Sequence, residues 1–221
     1  MHLKTVSPVA SGQPNHTPAR RIDNRGGGTN HIGEFYSRKN EEHLRYESRL
    51  ERDLCFRLES IPEVTSYRPQ PFRLPLALDN KLRVTTPDFE VFYIDHTREL
   101  IEVKYASVAS RDDFRKRADA VRNSAHHRGY TYRVVTEREI RRQPQLSNAK
   151  TLVRYARFAT LAHRNTAVQK IRENGGTIQW GAIHPKYLAG SAAAILDGLL
   201  TYDTSEVFGC RTSIAIVDEV I

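Results

Sequence analysis

The sequence predicts an α/β fold, a mixed sheet flanked by helices, with a small helical module and a hairpin behind it. Three observations point there. Residues 83–105 read as two strands around a polar turn. Helical periodicity lies on both sides of that hairpin, and a further strand follows at 130–136. After Gln143 the pattern changes to successive helices and a closing hairpin. The order helix, strands, helix, strand belongs to a layered α/β core.

Residues 1–32 are rich in Pro, Gly, Ser, Asn and Arg and contain Gly26-Gly27-Gly28, so a flexible basic arm is expected there. Ile32–Tyr36 is a candidate docking segment with no assigned structure. From His43 to Ser60 the pattern is helical, with Tyr46, Leu50, Leu54, Leu58 and Ile61 forming one apolar stripe. Pro62 marks its end. Glu47, Glu51 and Cys55 form a parallel row beside the stripe. A carboxylate there either faces the strand hairpin or lies on a solvated face beside Arg49 and Arg52; the residues alone leave both open.

Val64–Leu78 contains Pro69, Pro71 and Pro75, which limits it to short edge strands. Phe89–Ile94 and Glu99–Tyr105 are the two strands of the central hairpin, rich in β-branched and aromatic residues. Ser110–Gly129 is expected to be a helix, with Asp112 and Asp113 in its first turn and Gly129 as its stop. Tyr130–Thr136 is a strand, and Glu137–Arg142 begins another helix. In the remainder, helices are expected over 149–163, 166–173 and 188–200, with Thr177 capping a short one through Ile183. Strands over 201–208 and 211–217, split by Gly209, complete an order that resembles a winged helix. Trp180 and Ala192–Leu196 read as ordinary core. The expected domains are therefore an arm at 1–32, an α/β domain at 33–143 and a winged-helix-like domain at 144–221.

A net charge of +8 favours a polyanionic partner, most simply nucleic acid. No apolar run approaches the roughly 20 residues needed to span a bilayer. Met1–Pro8 lacks the apolar core of a signal peptide, so a cytosolic protein is expected. Cys55 and Cys210, far apart and without metal-ligand spacing, read as small buried residues. Between Arg133 and Arg172, ten basic residues (133, 138, 141, 142, 150, 154, 157, 164, 170 and 172) face only Glu137 and Glu139. A continuous basic face over the domain junction would follow a phosphate backbone.

The chemistry concentrates in the hairpin. Side chains alternate along a strand, so Glu102 and Lys104 share one face while Val103 takes the other. Charges set in a mostly apolar strand are costly unless paired or functional. Asp88, just after Pro87, converges on the same spot. Pro87-Asp88 followed by Glu102-Val103-Lys104 is the PD-(D/E)xK nuclease pattern. Two carboxylates offer hard oxygen ligands to Mg²⁺, and a lysine supplies a compact positive charge near the scissile phosphate. The bland alternative is a surface Glu–Lys pair and a turn Asp.

Taken with its flanks, the chain resembles the TnsA family, endonuclease subunits of heteromeric cut-and-paste transposases. The resemblance rests on Tyr46–Leu54, Ile61–Phe72 with its Gln70-Pro71-Phe72, Thr86–Phe89, Leu100–Lys104 and Arg133–Glu137, in that order. It implies a restriction-endonuclease-like domain followed by a winged-helix domain. It also implies a Mg²⁺-dependent cut at the 5′ strand of each transposon end, with Mn²⁺ able to substitute. The partners implied are double-stranded DNA at the transposon ends, a DDE transposase (TnsB) and an ATPase regulator (TnsC). Carried over by motif, Glu51 is the helix carboxylate and a metal ligand, Asp88 the central metal ligand, Glu102 a further ligand and Lys104 the catalytic lysine. Two other readings compete with it, a stand-alone restriction or repair nuclease and a DNA-binding adaptor without catalysis.

Overall fold

The computed structural model describes residues 31–217, so the expected N-terminal arm lies almost wholly outside the described residues. The described chain opens with an antiparallel hairpin, β1 (Gly33–Ser37) and β2 (Glu42–Tyr46). This corrects two expectations. Ile32–Tyr36 is mostly strand, and the helix does not begin at His43. Leu44 and Phe35 enter the core from this hairpin.

Helix α1 spans Arg49–Glu59. Ser48 is its N-cap and accepts from the Glu51 N–H, while Glu51 reaches back to the Glu47 N–H. Ser48 thus caps the helix, with Glu51 bonded one residue further back than in a capping box, which sets the N-cap two residues past Tyr46. Leu50, Leu54 and Leu58 are buried, as the stripe requires. The helix closes at Ser60, ahead of Pro62.

The central sheet combines β3 (Val64–Pro69), β6 (Phe89–Tyr93), β7 (Arg98–Lys104) and β8 (Thr131–Thr136) in the order β3-β6-β7-β8. β3, β6 and β7 are antiparallel neighbours, and β8 joins β7 in parallel. β3, which ends in Pro69, is at the edge, where a missing ladder donor costs least. Between β3 and β6 a separate hairpin, β4 (Leu74–Leu78) and β5 (Lys81–Thr85), turns through Asp79 and Asn80 at φ 51° and 55°. α2 (Ala106–Ala109) and α3 (Asp112–His126) make the crossover from β7 to β8, and α4 (Glu137–Ile140) follows.

Alternation on β7 divides the core. Ile101 and Val103 pack with Leu54, Cys55 and Leu58 of α1. Leu100 packs on the other face with Phe114, Ala118 and Val121 of α3. Glu102 and Lys104 share the parity of Leu100, so both leave β7 toward the α3 layer.

The C-terminal part holds α5 (Gln145–Ala156), α6 (Leu161–Glu173), β9 (Thr177–Gln179), a 3₁₀ turn (Trp180–Ala182), α7 (Pro185–Leu196), β10 (Leu200–Thr201) and β11 (Ser213–Ile216). Its sheet is ordered β10-β11-β9. The expected helix over 149–163 breaks because Thr160 caps α6 in a box with His163. Thr177–Gln179 is strand rather than helix cap, since it pairs with Ser213–Ala215. The hairpin arms are shorter than expected. Turn-forming Asp203 accepts from Ser205, and Asn148 holds the loop through Glu206 O and Phe208 N–H. Trp180 and Ala192–Leu196 are core, as read. Cys55 is buried, but Cys210 is exposed, against expectation, because it sits in the β10–β11 loop. Among the described residues, no helix is long and apolar enough to cross a membrane.

Asp53 of α1 ties the two parts together. It is 4% exposed and meets Arg141 at 2.9 Å and Lys150 of α5 at 2.7 Å. Removing one member of a buried, hydrogen-bonded charge set leaves the others uncompensated. Asp53→Ala is expected to lower stability by about 1–3 kcal/mol, the lower range because both cations are partly solvated. Urea melts measure this, and an unchanged midpoint would contradict it.

Candidate active site

The strands deliver three of the four expected residues to one place. In the antiparallel register Phe89 faces Ile101, which sets Asp88 beside Glu102. Asp88 Oδ2 accepts from the Val103 N–H at 2.7 Å, a bond that locks the turn before β6 onto β7. Lys104 Nζ stands 3.4 Å from Asp88 Oδ2 and 3.1 Å from Glu102 Oε1. It also donates to Val103 O at 3.0 Å. The bland reading of a surface pair fails on burial, because Glu102 is only 3% exposed.

The electrostatics follow from crowding. Burial pushes the Asp88 carboxyl above its ordinary range, and neighbouring Glu102 pushes the same way, against the Lys104 ammonium. Lys104 loses solvation, yet the two carboxylates outweigh that and hold its ammonium more firmly than usual. In the metal-free site Lys104 is therefore held as a cation.

Sequence reading missed Arg117. It is carried by α3, donates to Glu102 Oε1 at 3.1 Å and to Thr85 Oγ1 at 2.6 Å. It ties the β5 end to β7 and holds the carboxylate in place. The available signal was parity, since Glu102 had to meet whatever α3 offered. Tyr132 on β8 lies in the same layer, its hydroxyl buried and without a hydrogen-bond partner among the described residues.

Glu51 is not brought into this cluster. Its two oxygens accept from the Glu47 N–H at 2.8 Å and the Ser48 hydroxyl at 2.9 Å. α1 packs on the face of the sheet opposite α3, so Glu51 approaches from the other layer. It is still close enough for its charge to matter to Asp88. Burial raises the Glu51 carboxyl to about 7, and the Asp88 charge adds to the rise against the capping hydrogen bonds. Glu47 is half-buried beside it.

The sign of the effect is testable. A carboxyl raised on folding favours the folded state at low pH, and that contribution is lost as pH climbs from about 4.5 through about 7. In metal-free buffer, Glu51→Gln should exceed wild type in stability above about pH 8, by at most about 3 kcal/mol. Below about pH 4 the advantage should vanish. Denaturant melts at the two extremes would contradict this if the difference were the same at both.

The donor set suits a hard cation. Asp88 and Glu102 present carboxylate oxygens, and Glu102 Oε2 is buried with no hydrogen-bond partner among the described residues. Among the described residues no group of three or more His, Cys, Asp or Glu side chains is assembled as a metal cage. Two carboxylates with the remaining positions left to water and phosphate is an arrangement Mg²⁺ accepts.

A mixed sheet between two helical layers, with an acid at the head of one strand and an acid–lysine pair on the next, defines a restriction-endonuclease-like nuclease domain. Residues 61–137 match the family described as TnsA-like endonuclease N terminal, a span that includes Asp88, Glu102, Arg117 and Lys104. Residues 61–137 are therefore similar to a TnsA-like endonuclease N-terminal domain. Comparison with curated proteins finds no match.

Proposed function

We propose that this chain makes the metal-dependent 5′-strand cut at transposon ends, acting with a DDE transposase. The observation that carries the reading is the junction of Asp88, Glu102 and Lys104 inside a TnsA-like domain. Asp88 and Glu102 would hold Mg²⁺, with Glu51 reaching the site once it leaves its cap. The bound ion supplies an activated water and charge neutralisation at the phosphate. The protein's own part is positional and electrostatic. Lys104, held by both carboxylates, fixes a positive charge where negative charge grows on the scissile phosphate. Arg117 keeps Glu102 oriented, and the Val103 amide keeps Asp88 oriented.

The division into a nuclease domain at 33–143 and a winged-helix-like domain at 144–221 belongs to the same proposal. Supporting it, α6, β9, the 3₁₀ turn, α7 and the β10–β11 hairpin follow one another around their own apolar core. This part would meet an ATPase regulator of the TnsC kind, in the bacterial cytosol. Strand-specific labelling tests the central reading. With transposase and Mg²⁺, product should come from the 5′ strand, and a product from the 3′ strand alone would refute it.

A further inference from the structure

The expected basic face at the domain junction is not continuous. Arg133, Arg141, Lys150, Arg164 and Lys170 are all committed to carboxylates. Of the five without an ion pair among the described residues, Arg154 and Arg157 lie together. A cleft of about 470 Å³ lies between the β1–β2 hairpin, α1 and α5. Arg38, Arg52, Arg154 and Arg157 line it, with Tyr36 and Phe56.

We infer that this cleft is a second DNA contact, a seat for a phosphodiester segment of one strand, apart from the Asp88–Glu102–Lys104 centre. The inference rests on the nuclease reading for its choice of ligand. Arg154 and Arg157 have no ion-pair partner among the described residues, and the Nε atoms of Arg38 and Arg52 are buried without a hydrogen-bond acceptor. Those donors call for an anionic acceptor with several oxygens, and a guanidinium fork matches phosphate geometry. Counting lining residues, five cations (the four arginines and Lys150) face two acids, Glu34 and Glu59. Asp53, just outside, meets Lys150 and Arg52, and Asp197 meets Arg38, so the free charge is that of Arg154 and Arg157. The volume suits a nucleotide or two of one backbone, which a duplex can present at its edge without entering the cleft whole. Tyr36 and Phe56 offer apolar surface to sugar or base. Helix α1 connects the two places, because Glu51 and Arg52 are adjacent and point about 100° apart.

The test is duplex binding by the full chain in EDTA, read by anisotropy of a labelled DNA over a salt series. Without divalent metal the readout is binding alone, so a failed nuclease reading would leave it untouched. The double variant Arg154→Gln/Arg157→Gln should reduce the slope of log K against log salt by about two units, near 0.9 per lost phosphate contact. Arg154→Lys/Arg157→Lys, which keeps both charges, should retain the wild-type slope. A wild-type slope in the Gln variant would overturn the inference and leave the cleft to an acidic partner. An equal loss in the Lys variant would also overturn it, by showing a packing effect. Absence of duplex binding by the wild-type chain would do the same.

Discussion

Asp88→Ala should lose at least about a thousandfold in 5′-strand cleavage while the protein still folds and still assembles with its transposase. The size of the loss follows from position. Asp88 is the group that the fold aims at Glu102 and Lys104 from a different strand, fixed by the Val103 amide at 2.7 Å. Stability should respond in the opposite sense from activity. Burial and Glu102 both disfavour the Asp88 carboxylate, so the wild-type site is held together under repulsion. Asp88→Asn keeps an acceptor for the Val103 N–H and removes the charge. It should melt at or above the wild-type temperature near neutral pH, while being as inactive as the Ala variant. Loss of assembly in either variant would assign Asp88 a structural role.

Lys104→Ala should reduce the cleavage rate by about a hundredfold to a thousandfold, with little change in metal affinity. The ammonium bridges the two carboxylates in the absence of metal, at 3.4 and 3.1 Å. Removing it takes away a competitor for the cation as well as a charge at the phosphate. Metal affinity should therefore hold or rise as the rate falls. Titration with Mn²⁺, followed by single-turnover cleavage, separates the two effects. An unchanged rate would remove Lys104 from the mechanism.

The parts of this site that were legible in the sequence were those governed by strand alternation. Glu102 and Lys104 are two residues apart, so their common face is fixed wherever β7 sits, and register with β6 brings Asp88 to them. Glu51 was harder to place because a helix row gives a direction and no partner. The same spacing that aims it toward the sheet places it beside the Ser48 cap, and local hydrogen bonds from the Glu47 amide and the Ser48 hydroxyl hold it there. Arg117 was hidden among the charges of α3, since nothing in a helix pattern says which arginine meets a buried acid. β2 reads as the start of the helix because Tyr46 fits the α1 stripe by spacing alone. Its pairing with β1 is a tertiary choice that outweighs the local pattern. β9 escaped for the same reason, since Thr177–Gln179 is strand only because Ser213–Ala215 lies beside it. Four of the ten junction arginines and lysines are occupied by acids distant in sequence, such as Asp53 and Asp197, which a local charge count does not register.

The most direct test of the account incubates the purified chain with Mg²⁺ and transposon-end DNA, with and without its cognate transposase. A 5′-strand product is expected only when the transposase is present, and none with Asp88→Ala. Cutting of the same DNA by the chain alone would contradict it and assign this site to an autonomous nuclease.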